Sequence, residues 1–139
     1  MRLDIFEVFA LLEKAKSKAE KVKILRENNS GALQDICRGA FDKHIVWLLP
    51  KDDKPPYTPN RPESVPSNLL RETKKLGYLV KGGLAPNMMQ VKREAIFIGI
   101  LESIHPEDAL ILIQAINKKA PKGLTRASVE EAFPNLLMG

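Results

Sequence analysis

Cysteine is almost missing from this chain: Cys37 is the only one. A lone thiol excludes a disulfide framework and a CxxC metal site. Its apolar neighbours in sequence mark it as a small core residue of a protein from a reducing compartment. Aromatic residues are scarce too, at 6%. Proteins that bind single-stranded nucleic acid stack bases on exposed rings. With most of the few rings at inward positions, that class is disfavoured, and Tyr57 is the one ring expected outside. No apolar run reaches the roughly 18 residues a membrane-spanning helix needs, and the N-terminus is amphipathic rather than a signal sequence. No membrane contact is expected, and the expected location is the cytoplasm.

Catalytic machinery is missing as well. The sequence contains no Walker loop, no HExxH, no GxSxG and no Asp-Gly dipeptide. Its two histidines have no nucleophile or metal-ligand partner at readable spacing. His44 reads as a partly buried structural residue on a helix, and His105 as part of a helix cap. The carboxylate pairs Asp52-Asp53, Glu107-Asp108 and Glu130-Glu131 fall on loops or helix starts, and helix electrostatics accounts for the last two. No catalytic residue, no metal ligand and no cofactor is assigned, and the chain is not expected to be an enzyme.

What is present is an ordinary globular composition with a basic balance. The 139 residues are 44% hydrophobic and 28% charged, and the net charge is 22 − 17 = +5. That length fits one domain, residues 1–139, with a real core. The charge favours a polyanionic partner without requiring one. Apolar residues recur at helical spacing over about 4–16, 17–28, 32–46, 67–80, 87–103, 106–118 and 125–133. Ser17 with Glu20 makes a capping-box signature, and Pro106 sits at a first helical position. Residues 95–101 are apolar all round, so this helix and the next are expected at the centre, with Gly99 at a close helix crossing. Nothing reads as a paired strand. The expected fold is all-α, a compact bundle of six to seven helices.

Two stretches interrupt the helices with basic residues. Residues 50–66 hold six prolines, together with Lys51, Lys54, Tyr57 and Arg61. Proline keeps such a loop extended and surface-bound, and a loop of this length in a compact domain is often functional. Residues 117–126 then carry Lys118, Lys119, Lys122, Gly123, Thr125 and Arg126 between two helices. Gly123 suits a helix end or a tight turn, and Thr125 suits an N-cap. A helix N-terminus presents unpaired N–H groups and partial positive charge to an anion such as phosphate. Arg38 and Lys43 lie on the charged side of the third helix, beside Asp35 and Asp42.

The chain resembles the N-terminal helical DNA-binding domain of ATP-dependent DNA ligases, nearest to those of T-even-type bacteriophages. The resemblance is carried by Gly123-x-Thr125, Val129 and Phe133-Pro134-x-Leu136, by the run from Lys21 to Pro50, and by the Lys81-Gly82-Gly83 loop before a long apolar helix. It implies an all-α fold and duplex-DNA binding through backbone phosphates across the minor groove, without sequence reading. Gly123, Thr125 and Arg126, with Lys122 beside them, take the family's contact positions, and Lys118 and Lys119 follow as neighbours. Arg38, Lys43, Lys51, Lys54 and Arg61 are added for charge alone. The ligases' nucleotidyl-transfer motif, Lys-x-Asp-Gly, is absent, so the resemblance implies a ligase DNA-binding module standing alone. The expected function is non-catalytic, low-specificity binding of double-stranded DNA, nicked or intact, in bacteriophage DNA replication or repair. A replication or repair protein is the second expected partner. The alternatives are a protein-interaction module on a ligase-derived scaffold and the DNA-binding subunit of a split ligase.

Overall fold

All the α-helices but one begin where a nearby side chain takes up N–H groups that the first turn leaves unpaired. In the computed structural model, which describes residues 2–138, Asp4 starts α1 (Ile5–Lys14), and the Glu7 carboxylate accepts from the Asp4 N–H at 2.9 Å. Ser17 caps α2 (Lys18–Glu27) by accepting from the Glu20 N–H at 3.2 Å, and Ser30 caps α3 (Gly31–Phe41) through the Leu33 N–H at 3.0 Å. Asn68 caps the single turn α4 (Leu69–Glu72). The N-cap of α5 (Gln90–Ser103), Met89, makes no side-chain bond. His105 caps α6 (Pro106–Ile116): its Nδ1 accepts from the Glu107 N–H at 3.0 Å while its ring stacks on Phe6. Thr125 caps α7 (Arg126–Ala132).

Helix α6 is the axis. Ala109, Leu112 and Ala115 have no exposed surface, and α1, α3 and α5 pack around them. The pair α2 and α7 closes one side, where Arg26 donates to the Glu131 carbonyl at 2.9 Å. The buried apolar residues form one continuous cluster from Ile5 to Ala132. The described residues are all-helical, with no named strand. Their one sheet-like element is an isolated bridge between Trp47 and Val80.

Several elements differ from the sequence expectation. The third helix stops at Phe41 rather than near 46, because Asp42 leaves the helical region at φ −83°, ψ 116°. His44 therefore lies beyond the helix with its side chain 62% exposed, not half-buried upon it. The segment expected as a fourth helix is one α turn followed by a 3-10 stretch, Thr73–Tyr78. Helix α5 is not enclosed: Val91, Ala95 and Gly99 line an exposed face, and a methyl group at Gly99 would meet nothing within 4 Å. No close crossing exists there. Tyr57 packs against the core instead of standing free, and burial raises its phenol pKa.

Two buried charged groups hold the helices in register. Asp108, 1% exposed, accepts from the Phe6 N–H of α1 at 2.8 Å and from the Leu69 N–H of α4 at 3.4 Å. It thus ties the starts of α1 and α4 to the first turn of α6. Arg93, 5% exposed, donates to the carbonyls of Tyr78 and Ala85 and to the Gln90 side chain at 3.0–3.1 Å. It fixes the ends of the loop between the 3-10 stretch and α5. Neither role is visible in a local sequence window.

Candidate nucleic-acid interface

The basic residues of 117–126 owe their positions to the ends of α3 and α6. Lys118 sits at φ 58°, in the left-handed region, just past the end of α6. Its N–H bonds the Ala115 carbonyl and the Lys119 N–H bonds the Gln114 carbonyl, at 3.1 and 2.9 Å. This is a Schellman closure with lysine where glycine is usual. The turn aims Lys118 back at α3, where its ammonium donates to the Asp42 carbonyl at 2.7 Å. Arg126 reaches the same helix end from α7 and donates to the Phe41 carbonyl at 3.0 Å. Unpaired carbonyls and partial negative charge at a helix C-terminus attract cations. Two cations expected to face phosphate are therefore partly committed to capping α3. Burial lowers the Lys118 pKa, and Asp42 opposes that shift.

Asp42 anchors this end of the molecule. Burial alone would raise its pKa, but N–H groups of Met138 and His44 and the His44 ring outweigh it, leaving the carboxyl below its ordinary value. The proline-rich loop is fastened beside it. The Asn117 side chain accepts from the Asp52 N–H and donates to the Asp52 carbonyl, both at 3.0 Å. The Lys119 ammonium holds both Asp53 oxygens at 2.8 and 3.0 Å. The loop thus carries Lys51 and Lys54, which flank the two aspartates, to the end of α6. Lys43, next to Asp42, joins them. All three are exposed, and no carboxylate among the described residues lies within ion-pair reach of them.

The remaining candidates lie elsewhere. Lys122 is highly exposed and 3.9 Å from Glu13 of α1. Gly123 does not end α6 but makes the expected tight turn ahead of α7, closed by the Leu124 N–H on the Pro121 carbonyl at 3.0 Å. At φ +89° it lies against α1, where a Cβ would fall 2.7 Å from the Glu13 nitrogen. The Thr125 hydroxyl is occupied, accepting from the Ser128 N–H and lying 2.7 Å from the Ser128 hydroxyl. Arg38 pairs with Asp35 on α3. Arg61 follows Asn60, which is fixed to the Glu102 carbonyl near the end of α5. Contacts join Lys118 and Arg126 to the end of α3 and Lys119 to the 52–53 loop, and Lys43, Lys51 and Lys54 come with these segments as chain neighbours, while Lys122, Arg38 and Arg61 make their contacts or lie elsewhere. Asp42 and Asn117, which anchor these contacts, escaped the sequence reading. The one available signal was an asparagine followed by two lysines at a helix end.

Among the described residues, no group of histidine, cysteine and carboxylates is placed to hold a metal ion, and no helix is long and apolar enough to cross a membrane. Cys37 is buried, and burial pushes its thiol up to about 12. No curated protein and no solved structure matches the chain. The sequence model of a family of unknown function, DUF6433, matches residues 8–122. The chain belongs to that family. The matched segment stops just before Gly123; it includes the Lys21–Pro50 run and the Lys81-Gly82-Gly83 loop and leaves out the tail from Gly123 to Leu136, and the match does not link the chain to ligases.

Proposed function

We propose that the chain is a non-catalytic protein that holds duplex DNA by its backbone phosphates. The observation that carries the reading is the fastening of 51–54 to 117–119 by Asn117 and Lys119. It gathers cations from segments distant in sequence, and Lys43, Lys51 and Lys54 keep their charges in solvent. Point charges on lysine, with no aromatic platform beside them, suit phosphate rather than bases. Such a contact ignores sequence, which fits a role in bacteriophage replication or repair on nicked or intact DNA.

The test is a salt titration of binding to nicked, intact and single-stranded DNA. With about four phosphates engaged, log K should fall against log salt with a slope near −4. The double variant Lys51→Ala/Lys54→Ala should make that slope shallower by about two, with unchanged melting. Arg61→Ala should leave the slope alone. A folded protein with no salt-sensitive affinity for any duplex at low ionic strength would remove the reading. A second reading, a protein-interaction module, is favoured by one observation: Leu84, Met89 and Val91 are 66%, 76% and 78% exposed within one short segment.

A further inference from the structure

A groove of about 380 Å³ runs between α3 and the 3-10 stretch, apart from the lysines gathered at the end of α6. Its walls are two large side chains resting on glycines. The Trp47 indole lies over Gly39, where a Cβ would fall 2.5 Å from Cζ2, and its Nε1–H donates to the Gly39 carbonyl at 3.1 Å. Leu84 lies over Gly77, where a Cβ would fall 2.8 Å from Leu84 Cδ1. Leu76 and Val80 contribute to the apolar lining between them.

The groove is preformed. Arg93 is buried in order to hold the Tyr78 and Ala85 carbonyls on either side of the Leu84 loop. The Leu84 N–H bonds the Gly77 carbonyl at 2.8 Å, and Gly82 turns the loop at φ +75°. Burying a guanidinium among neutral acceptors is costly. Here it fixes a loop whose tip leaves Leu84 66% exposed.

The charge beside the apolar floor is positive. Asp35, the one carboxylate of the lining, is held by Arg38. Lys74 is left uncompensated on the wall, and Lys81 stands just beyond Val80 with its side chain exposed. We propose that this groove docks an acidic amphipathic segment of a partner protein, with large apolar residues between Trp47 and Leu84 and carboxylates beside Lys74 and Lys81. An apolar floor with only two free cations suits such a segment better than a phosphate backbone. The proposal is independent of DNA binding at the lysine face.

Trp47 is the only tryptophan in the chain, so its emission reports on the groove. Random peptides of about 15 residues, long enough for helical anchors at i, i+3, i+4 and i+7, would be selected by display against the full chain. The expected winners combine acidic residues with large apolar ones and shift Trp47 emission to the blue. Leu84→Glu should weaken them by about tenfold or more, and Lys74→Glu by a few-fold, with melting unchanged because both side chains are exposed. Three results would each overturn the proposal. One is selection yielding no acidic amphipathic peptides. Another is winners that bind Leu84→Glu as tightly as wild type. The third is a duplex DNA that shifts Trp47 and displaces the peptides, which assigns the groove to nucleic acid.

Discussion

Asp42 and Asp108 are both 1% exposed, yet their carboxyls shift in opposite directions. Asp42 stands at the end of α3, where N–H groups and the His44 ring converge on it and override burial. Asp108 stands where α1, α4 and α6 begin. Burial pushes its carboxyl up, the N–H groups of Phe6 and Leu69 pull it down, and Asp4 and Glu7 push it up again, to about 6. Equal exposure therefore does not mean equal electrostatics. Asp108 lies much deeper among protein atoms and is desolvated more, while Asp42 sits nearer the surface; the number of donors and the sign of the nearest charges add to that difference. One aspartate closes a surface where distant segments meet, and the other sets the register of the core.

The largest expected effect lies at the core aspartate. At pH 4, where the folded state holds the Asp108 carboxyl protonated, Asp108→Ala leaves the Phe6 and Leu69 N–H groups without their acceptor inside the protein and should cost about 3 kcal/mol. Asp42→Ala frees N–H groups nearer the surface and should cost about 2 kcal/mol. Denaturant unfolding of both variants checks the order, and a reversed order would break the contrast.

The pH dependence should separate the two next. For Asp108 the folded pKa lies above its ordinary value, so between 3.8 and about 6 the folded state holds the extra proton. Its stabilisation is full below 3.8 and is lost as pH rises through about 6, a change of at most about 3 kcal/mol. For Asp42 the folded pKa is depressed, so its contribution is present above 3.8 and is lost as pH falls through the lower folded value. Melting temperature followed across this range should fall from pH 4 to 6 in wild type and flatten there in Asp108→Asn.

Lys118 gives a smaller, sharper test. Lys118→Ala loses the bond to the Asp42 carbonyl and keeps the strained φ, and should cost about 1 kcal/mol. Lys118→Gly loses the same bond but relieves the backbone, and should come out within about 0.5 kcal/mol of wild type. Two equal losses would mean that the left-handed turn carries no strain. The smallest effect belongs outside both centres: Gly99→Ala, on an open helix face, should stabilise by about 0.5–1 kcal/mol.

Local chemistry made the caps legible, because Ser17, His105 and Thr125 act within a few residues of themselves. Helix content was equally legible from spacing. The exposure of α5 was not, since Ala95 and Gly99 pattern as apolar while contributing almost no area to bury. The extent of α3 was misjudged because Asp42 ends it for the sake of Met138 and Lys118, residues far along the chain. The same reason hid the site. The sequence places Lys118 and Arg126 in a basic stretch, but the α3 carbonyls that draw them inward are a consequence of the closed fold. Lys51 and Lys54 were candidates by charge, and only the Asn117 clasp brings them beside Lys119.

The reach of these contacts bears on how the chain folds as it is made. The Phe6 N–H finds its carboxylate 102 positions later, Arg26 its carbonyl 105 later, and Asp42 its Met138 donor 96 later. Individual helices form in about a microsecond. Ribosomes add roughly 5–20 residues per second, so α1 to α3 wait several seconds for α6 and α7 to appear. During that interval the faces of Phe9, Leu12, Leu25 and Leu33 have only one another to cover them. The chain is built of local elements but completed by distant ones, which makes its nascent first third the part most in need of protection from aggregation.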